Sequence, residues 1–375
     1  MVREIHLFEP SGFAGVFQHC CRLGQLLDRR GLRVVLHTGH QHERVATGGV
    51  ELCPCSWWPR DEPRSARRSA LIAARFVTRT LPHLRRAVAP DAVLHVEGIS
   101  AAGPLTLLAL GSGRLARRRV VYSPHDTFSR RGGIDARLLR MALRVPHALI
   151  VHSEADVEVL RAAGLASHLS PLVQLVPSPA EGERQAWRTE WAAGDDVKVV
   201  LFAGCIRPEK RLDLLVSSAR SWPRDRKLAV VGEDRGAWTE AARLAREQGV
   251  EIAARVEFVD LPEFTAALAA ADVVVAPYER ASQSGVLSVA RQLGVATVAA
   301  GVGGLAELAL RTFAPGDVDD LTRAIDAQLA DDAASPLPLD EELALRAHLD
   351  AYACCAPPEA PLLSEWGTDR EHVGP

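Results

Sequence analysis

Lysine is nearly missing from this chain: of its 44 basic side chains only Lys198, Lys210 and Lys227 are lysines, and arginine supplies the rest. The imbalance fits a GC-rich genome and makes Lys210, a lysine set in a turn, stand out. Charge of either sign is not in surplus. A formal net charge of −3 excludes a general nucleic-acid binder, whose phosphate contacts need a cationic excess. The seven cysteines show no CxxC spacing, and an odd count with adjacent pairs (Cys20-Cys21 and Cys354-Cys355) fits neither a disulfide framework nor a zinc site. Reduced thiols in a cytoplasm are the expectation. No apolar run reaches the ~20 residues a membrane span needs, since Pro104 and Asp272 interrupt the nearest candidates. Met1-Val2-Arg3-Glu4 leads straight into a strand, so no signal peptide is expected. Also missing is a Gly-x-Gly-x-x-Gly run after a strand, which argues against a dinucleotide oxidoreductase.

What is there is an ordinary soluble composition, 47% apolar and 24% charged, on a chain of 375 residues that is too long for one core. Residues 5–8 read as a buried strand, followed by Gly12 and Gly15. A helix over 17–30 comes next, with Leu23, Leu26 and Leu27 on one face and Gly31 as its stop. Residues 32–36 form the second strand. Strand, glycine turn, helix, strand is a βαβ unit, so a parallel sheet is expected. An arginine-rich helical stretch fills 59–89. Strands follow at 92–96, 119–122 and 148–151, with 172–176 read as the last of this half. The pattern restarts at Val197, where strands 199–202, 228–231, 256–259, 273–276 and 297–299 alternate with helices. The expected fold is α/β, two Rossmann-like parallel-sheet domains facing across a cleft. The first spans 1–178, a linker 179–194, the second 195–330, and a C-terminal helix and tail 331–375. Within that last stretch the helix is placed at 340–352, and the final ~20 residues read as poorly ordered.

The sharpest chemical signal is Gly204-Cys205-Ile206-Arg207-Pro208-Glu209-Lys210-Arg211, where an apolar strand ends in a basic turn. A glycine there lets a ligand approach the backbone closely. Arg207 can grip phosphate oxygens bidentately, and Lys210 is a compact point charge. A solvated basic turn has the same composition; the position, at the C-terminal end of a domain's first strand, is where open α/β sheets bind ligands. Ser282-Gln283-Ser284-Gly285-Val286 and Gly301-Val302-Gly303-Gly304-Leu305-Ala306-Glu307 set small residues and exposed amides at helix starts, which also suits an anion. Glu233 follows a strand-end glycine and reads either as a ligand contact or as a helix cap. In the first half, Tyr122-Ser123-Pro124-His125-Asp126 ends a strand on the cleft side. His125 there is a hydrogen-bonding group for a substrate or a satisfied buried histidine, with Asp126 as its orienter or as an acceptor contact. Arg130 and Arg131 offer cations to an anionic acceptor or are solvated loop arginines, and His19 reads as structural.

Taken together these stretches resemble the family 4 glycosyltransferases of GT-B fold. The carriers are the Gly-x-Ile-Arg-Pro-x-Lys turn, Val230-Val231-Gly232-Glu233, Ala271-Asp272-Val273-Val274-Val275-Ala276-Pro277-Tyr278, and the two small-residue turns. The resemblance covers most of the chain and is clearest from Val197 to Glu307. It implies a metal-independent transfer, with retention of anomeric configuration, from a nucleotide-diphosphate sugar to an acceptor hydroxyl, without a separate cofactor. It assigns the donor diphosphate to Arg207 and Lys210 and donor contacts to Gly15, Glu233, Ser284, Gly285, Val286, Gly303 and Gly304. It places His125 by the reacting sugar carbon and Asp126, Arg130 and Arg131 toward the acceptor. One departure is visible: the family's two glutamates, eight positions apart, fall at Ala281 and Val289. A catalytically silent subunit therefore stands as an alternative, and so does a sugar-nucleotide epimerase of the same fold, which would bind the same donor without an acceptor. The cations Arg60, Arg64, Arg67, Arg68, Arg75, Arg79, Arg85 and Arg86 resemble the face that relatives with lipid-linked acceptors turn to anionic membranes, although a solvated helix face reads the same way. Carbohydrate biosynthesis in the cytoplasm, with peripheral contact at the inner face of the membrane, is the corresponding expectation.

Overall fold

The computed structural model describes residues 2–58, 65–98, 119–127, 133–331 and 339–354. Two wholly parallel sheets organise them. The first has the order β3-β2-β1-β4-β5-β6-β7, built from β1 (Glu4–Phe8), β2 (Arg33–Gly39), β3 (Glu51–Ser56), β4 (Val93–Glu97), β5 (Arg119–Ser123), β6 (Ala148–Val151) and β7 (His168–Leu169). The second runs β10-β9-β8-β11-β12-β13: β8 (Lys198–Ala203), β9 (Arg226–Val231), β10 (Ile252–Arg255), β11 (Val273–Ala276), β12 (Ala296–Ala300) and β13 (Arg311–Phe313). Both orders reverse beside the first strand of the sheet, which is where a doubly wound fold opens its binding crevice.

Strand periodicity explains why both faces are covered. Val93, Val121 and Ile150 enter one core while Leu94, Val96, Val120, Tyr122, Leu149 and Val151 enter the other. Near-continuous apolar strands are what a sheet buried on both sides requires. The C-terminal helix Glu341–Cys354 returns to the first of these cores, placing Ala344, Leu345, Ala351 and Tyr352 there. Arg22 clamps its start, with Nε and Nη2 donating to Glu341 at 2.7 and 2.6 Å.

Several expectations are corrected. Residues 172–176 are not a strand; β7 is His168–Leu169, and the stretch after it, bounded by Pro171 and Pro177, spends the Val173 carbonyl on His19 instead of on a ladder. The presumed linker holds the helix Glu181–Glu190, whose Trp187 packs with Trp191 in the second domain's core. In the second domain the strand read at 256–259 lies earlier, at β10. The arginine-rich helix is two helices, Ala66–Arg75 and Leu81–Ala87, joined by a π turn at Phe76–Thr80. Strand β3 was not foreseen, because Pro54 disguises it; Pro is tolerated there since β3 is a sheet edge. Among the described residues no helix is long and apolar enough to cross a membrane.

Candidate functional site

The ends of β8 and β9 lie side by side, and the turns leaving them are tied together. Ile206 N–H donates to Glu233 O at 2.9 Å, and Arg235 N–H donates to Ile206 O at 2.8 Å. Gly232 packs directly on Gly204 with φ at 150°, and a Cβ at Gly232 would fall 2.0 Å from the Gly204 carbonyl oxygen. Gly232→Ala is therefore expected to cost at least ~2 kcal/mol, through a glycine-only backbone conformation and a backbone clash. Urea unfolding checks this, and an unchanged midpoint at unchanged slope would contradict it.

After Gly204 the chain makes one tight turn at Pro208–Lys210. Arg211, just beyond, is held by Asp213, with Nε and Nη2 donating at 3.0 and 2.9 Å. Lys210 is placed differently. Its Nζ lies 4.8 Å from the ring centre of Tyr278, and a Cβ on Gly204 would sit 3.3 Å from that Nζ and 3.2 Å from Val286 Cγ2. The ammonium thus stands between the mouth of β8 and the first turn of the helix Gly285–Gln292. Arg207 is partly buried, faces Glu209 only at 3.8 Å, and its Nε is buried without a hydrogen-bond partner among the described residues.

Ser284 caps the helix Gly285–Gln292, its Oγ accepting from Leu287 N–H at 3.3 Å. The amides of Gly285 and Val286 have no intrahelical acceptor, as at any helix start. The Lys210 ammonium and a helix N-terminus meet at one strand mouth, an arrangement that suits an anion, with Arg207 in the same turn. Glu233 stands beside it, half-buried and paired with Arg235 at 2.6 Å.

The first domain closes over this mouth. A Cβ on Gly285 would lie 3.9 Å from Gly15 Cα and 3.3 Å from Gln174 Nε2, so Gly15 and Gly285 face one another with Gln174 alongside. In the glycine-rich loop Gly12 N–H donates to Glu9 at 2.7 Å and Ala14 N–H donates to Glu43 at 2.6 Å, so those amides already have carboxylate acceptors. Ala14 holds φ at 61°, where the resemblance would put a glycine.

His125 lies at the end of β5. Its Nε2 is 2.8 Å from Glu97 Oε2, and its Nδ1 is 3.1 Å from Gln283 Nε2 of the second domain. With Nε2–H donated to the carboxylate, Nδ1 accepts from the Gln283 amide. Burial lowers the pKa of this imidazole to about 4, against the opposing pull of Asp126 and Asp156, and burial lifts Glu97 to about 7. The group orienting His125 is therefore Glu97; Asp126 acts on it through charge. Arg130 and Arg131 lie outside the described residues, as do Arg60 and Arg64.

The Gly303-Gly304 turn packs under the loop before Ser284. A Cβ on Gly303 would meet Ala281 O at 2.1 Å, and one on Gly304 would meet Ser282 O at 2.4 Å and Ser153 Cβ at 2.6 Å. Just beyond, Glu307 accepts from Glu154 and Ala155 N–H at 3.1 and 3.2 Å, capping the first-domain helix Glu154–Ala162 across the domain boundary. Thr127 N–H donates to Ser282 Oγ at 3.1 Å along the same seam. Val289 is buried in the second domain's core and offers the cleft no carboxylate. A cavity of about 470 Å³ lined by Pro179, Arg184, Lys198, Asp272 and Gln328 opens at the opposite end of these strands and takes no part in the site.

Glu97, Gln174 and Gln283 escaped the sequence reading. Only Glu97 had a signal, an acid directly after an apolar strand at the same end of the sheet as His125.

Two parallel-sheet domains closing on strand-end turns define the GT-B class of fold. The profile described as "Glycosyltransferase Family 4" matches residues 13–171, and the one described as "Glycosyl transferases group 1" matches residues 197–331. The chain belongs with the family 4 type of GT-B glycosyltransferases. D-inositol 3-phosphate glycosyltransferase from Mycobacteroides abscessus is 37% identical over 130 residues, 33% of this chain. The match spans only 29% of the length of that curated relative. Among solved structures, sucrose-phosphate synthase from Thermosynechococcus elongatus has a TM-score of 0.68 at 18% identity, over 94% of each chain. HepE from Anabaena in complex with UDP-glucose has a TM-score of 0.65 at 16% identity, again over 94% of each chain.

Proposed function

We propose that this protein transfers a glycosyl group from a nucleotide-diphosphate sugar to an acceptor hydroxyl, with retention at the anomeric carbon. The observation that carries the reading is the position of Lys210, whose ammonium sits at the glycine mouth of β8 beside the start of the helix Gly285–Gln292, opposite Gly15. As the glycosidic bond breaks, negative charge grows on the leaving diphosphate, and Arg207 with Lys210 and the helix amides neutralise it. In this scheme the two cations take the part a divalent ion plays elsewhere, so transfer needs no metal. The second domain binds the donor and the first binds the acceptor, with Asp126 near the latter. His125 stands by the reacting carbon, where a hydroxyl of the sugar displaces the Gln283 amide from Nδ1. The departing phosphate helps to deprotonate the acceptor.

The experiment is a product assay with a panel of nucleotide sugars and sugar, lipid-linked and small-molecule acceptors. Uridine nucleotides come first, since the structurally similar HepE was crystallised with UDP-glucose. The reading expects acceptor-dependent release of nucleoside diphosphate together with a glycoside whose anomeric configuration, read by NMR, matches the donor's. The silent-subunit reading is favoured by one observation, the burial of Val289 where the family carries an acid facing the donor. Nucleotide binding with no turnover on any acceptor would establish it, and a changed sugar nucleotide without an acceptor would establish an epimerase.

A further inference from the structure

Strand alternation brings an unusual set of side chains to one face of the first sheet. Counting by twos, Val93, His95 and Glu97 of β4, Val121 and Ser123 of β5 and Ile150 of β6 point the same way, and His125 and His152, just past the strand ends, pack together beside them at 4.8 Å between ring centres. The helix Ala14–Asp28 lays His19 against that face, and the helix Glu341–Cys354 lays His348 against it. Three of these imidazoles are fixed alike. His19 Nδ1 is 2.7 Å from Val173 O, His348 Nδ1 is 2.7 Å from Ala344 O, and His152 Nδ1 is 3.0 Å from Ser170 O. A carbonyl can only accept, so each ring carries its proton on Nδ1 and turns an Nε2 lone pair inward. Those three Nε2 atoms and Glu97 Oε1 are buried without a hydrogen-bond partner among the described residues. His95 Nε2 lies 3.2 Å from Glu97 Oε1 but is engaged by Ser123 Oγ at 2.8 Å.

We propose that this cluster is a binding site for a divalent first-row transition ion, zinc in the first instance, held by His19 Nε2, His348 Nε2 and Glu97 Oε1, with His152, grouped with His19, as a further ligand. The donor set suits such an ion: imidazole nitrogens plus one carboxylate, each ring braced by a second hydrogen bond to a backbone carbonyl. The spacing suits it too. The ligand atoms of His19, Glu97 and His348 all lie within 4.8 Å of one another, and His19 Nε2 is 3.8 Å from Glu97 Oε1. Edges between 3.8 and 4.8 Å put an in-plane ion about 2.2–2.8 Å from the corners, so small side-chain shifts suffice to reach the ~2.0–2.2 Å of zinc–nitrogen and zinc–oxygen bonds. Glu97 is a lone carboxylate at zero exposure among neutral rings, and a dication supplies the charge it lacks. The ion would brace the C-terminal helix against the sheet. It lies apart from the Arg207–Lys210 turn and touches the transfer site only through Glu97, whose other oxygen holds His125.

The test uses the full chain, stripped with chelator and titrated with Zn²⁺ and with Co²⁺. The proposal expects one equivalent taken up per chain, a visible Co²⁺ spectrum of low-coordinate nitrogen–oxygen type, and a raised melting temperature. His348→Gln is expected to lose that equivalent; His152→Gln, with affinity at least tenfold weaker, serves if the first variant does not fold. Of the two other metal-capable groups among the described residues, His19, His125 and His152 share His19 with this site, and His37, Cys55 and His83 are controlled by Cys55→Ser, which should keep the equivalent. No stoichiometric uptake by folded wild type overturns the proposal, as does uptake kept in His348→Gln and lost in Cys55→Ser.

Discussion

His125→Ala should lower turnover by about 10²-fold or more while leaving nucleoside diphosphate affinity within about twofold. The figure is the usual cost of removing one positioned hydrogen-bonding or proton-transfer group at a reacting centre. Burial keeps the imidazole neutral at pH 7, its pKa near 4, so it works as a hydrogen-bonding group and not as a cation. Glu97 fixes the ring from behind through Nε2, and only Nδ1, on the Gln283 side, is exchangeable for a substrate. Since His125 sits at φ 57°, alanine also meets backbone strain; His125→Asn, a residue that tolerates this region, separates the two effects. Steady-state kinetics with parallel nucleotide titration checks the result. Wild-type turnover in folded His125→Asn would return His125 to a structural role.

Acid should unfold this protein early. In the chelator-treated chain, His37 and His348 are held down to about 3 and His125 to about 4, in each case first by burial. In the unfolded chain the same rings take up protons near pH 6.5. Below that pH the unfolded state binds more protons, so stability that is full above pH 6.5 drains away as pH falls toward the folded values. Glu97, raised to about 7, works in the opposite direction between pH 7 and its ordinary value. Among these four groups, three histidines against one carboxylate leave two protons, or about 2.7 kcal/mol per pH unit between pH 6 and 4.5. His19, His95 and His152, also lowered by burial, add to this, and Glu9, raised by burial, subtracts from it. A fold with ~5–15 kcal/mol in hand loses much of it within two units. Urea midpoints at pH 7.5, 6 and 5 provide the check, and a flat series would contradict the neutral, buried state of these rings.

The repeating strands were legible because parallel strands covered on both faces are runs of Val, Leu and Ala, and β8 and β11 could be read directly. The donor-side turns were legible for a related reason, since Gly204, Gly232 and Ser284 are required by local geometry that the sequence states outright. Edge strand β3 was hidden by Pro54, and the helix Glu181–Glu190 by a polar run in which only Trp187 faces a core. Least legible was the face shared by His19, Glu97, His152 and His348. These residues lie up to 329 positions apart in numbering, and only sheet order and the returning C-terminal helix bring them together. His19, read alone on a helix, looked merely structural.

One titration bears most directly on the account, that of nucleoside diphosphates into wild type, Arg207→Ala and Lys210→Ala, followed by calorimetry. The account predicts one site per chain in the wild type and affinity weakened by about 1.5–3 kcal/mol in each variant, the range for a charge-assisted hydrogen bond. Equal affinity in all three folded proteins would contradict a diphosphate held between those two side chains.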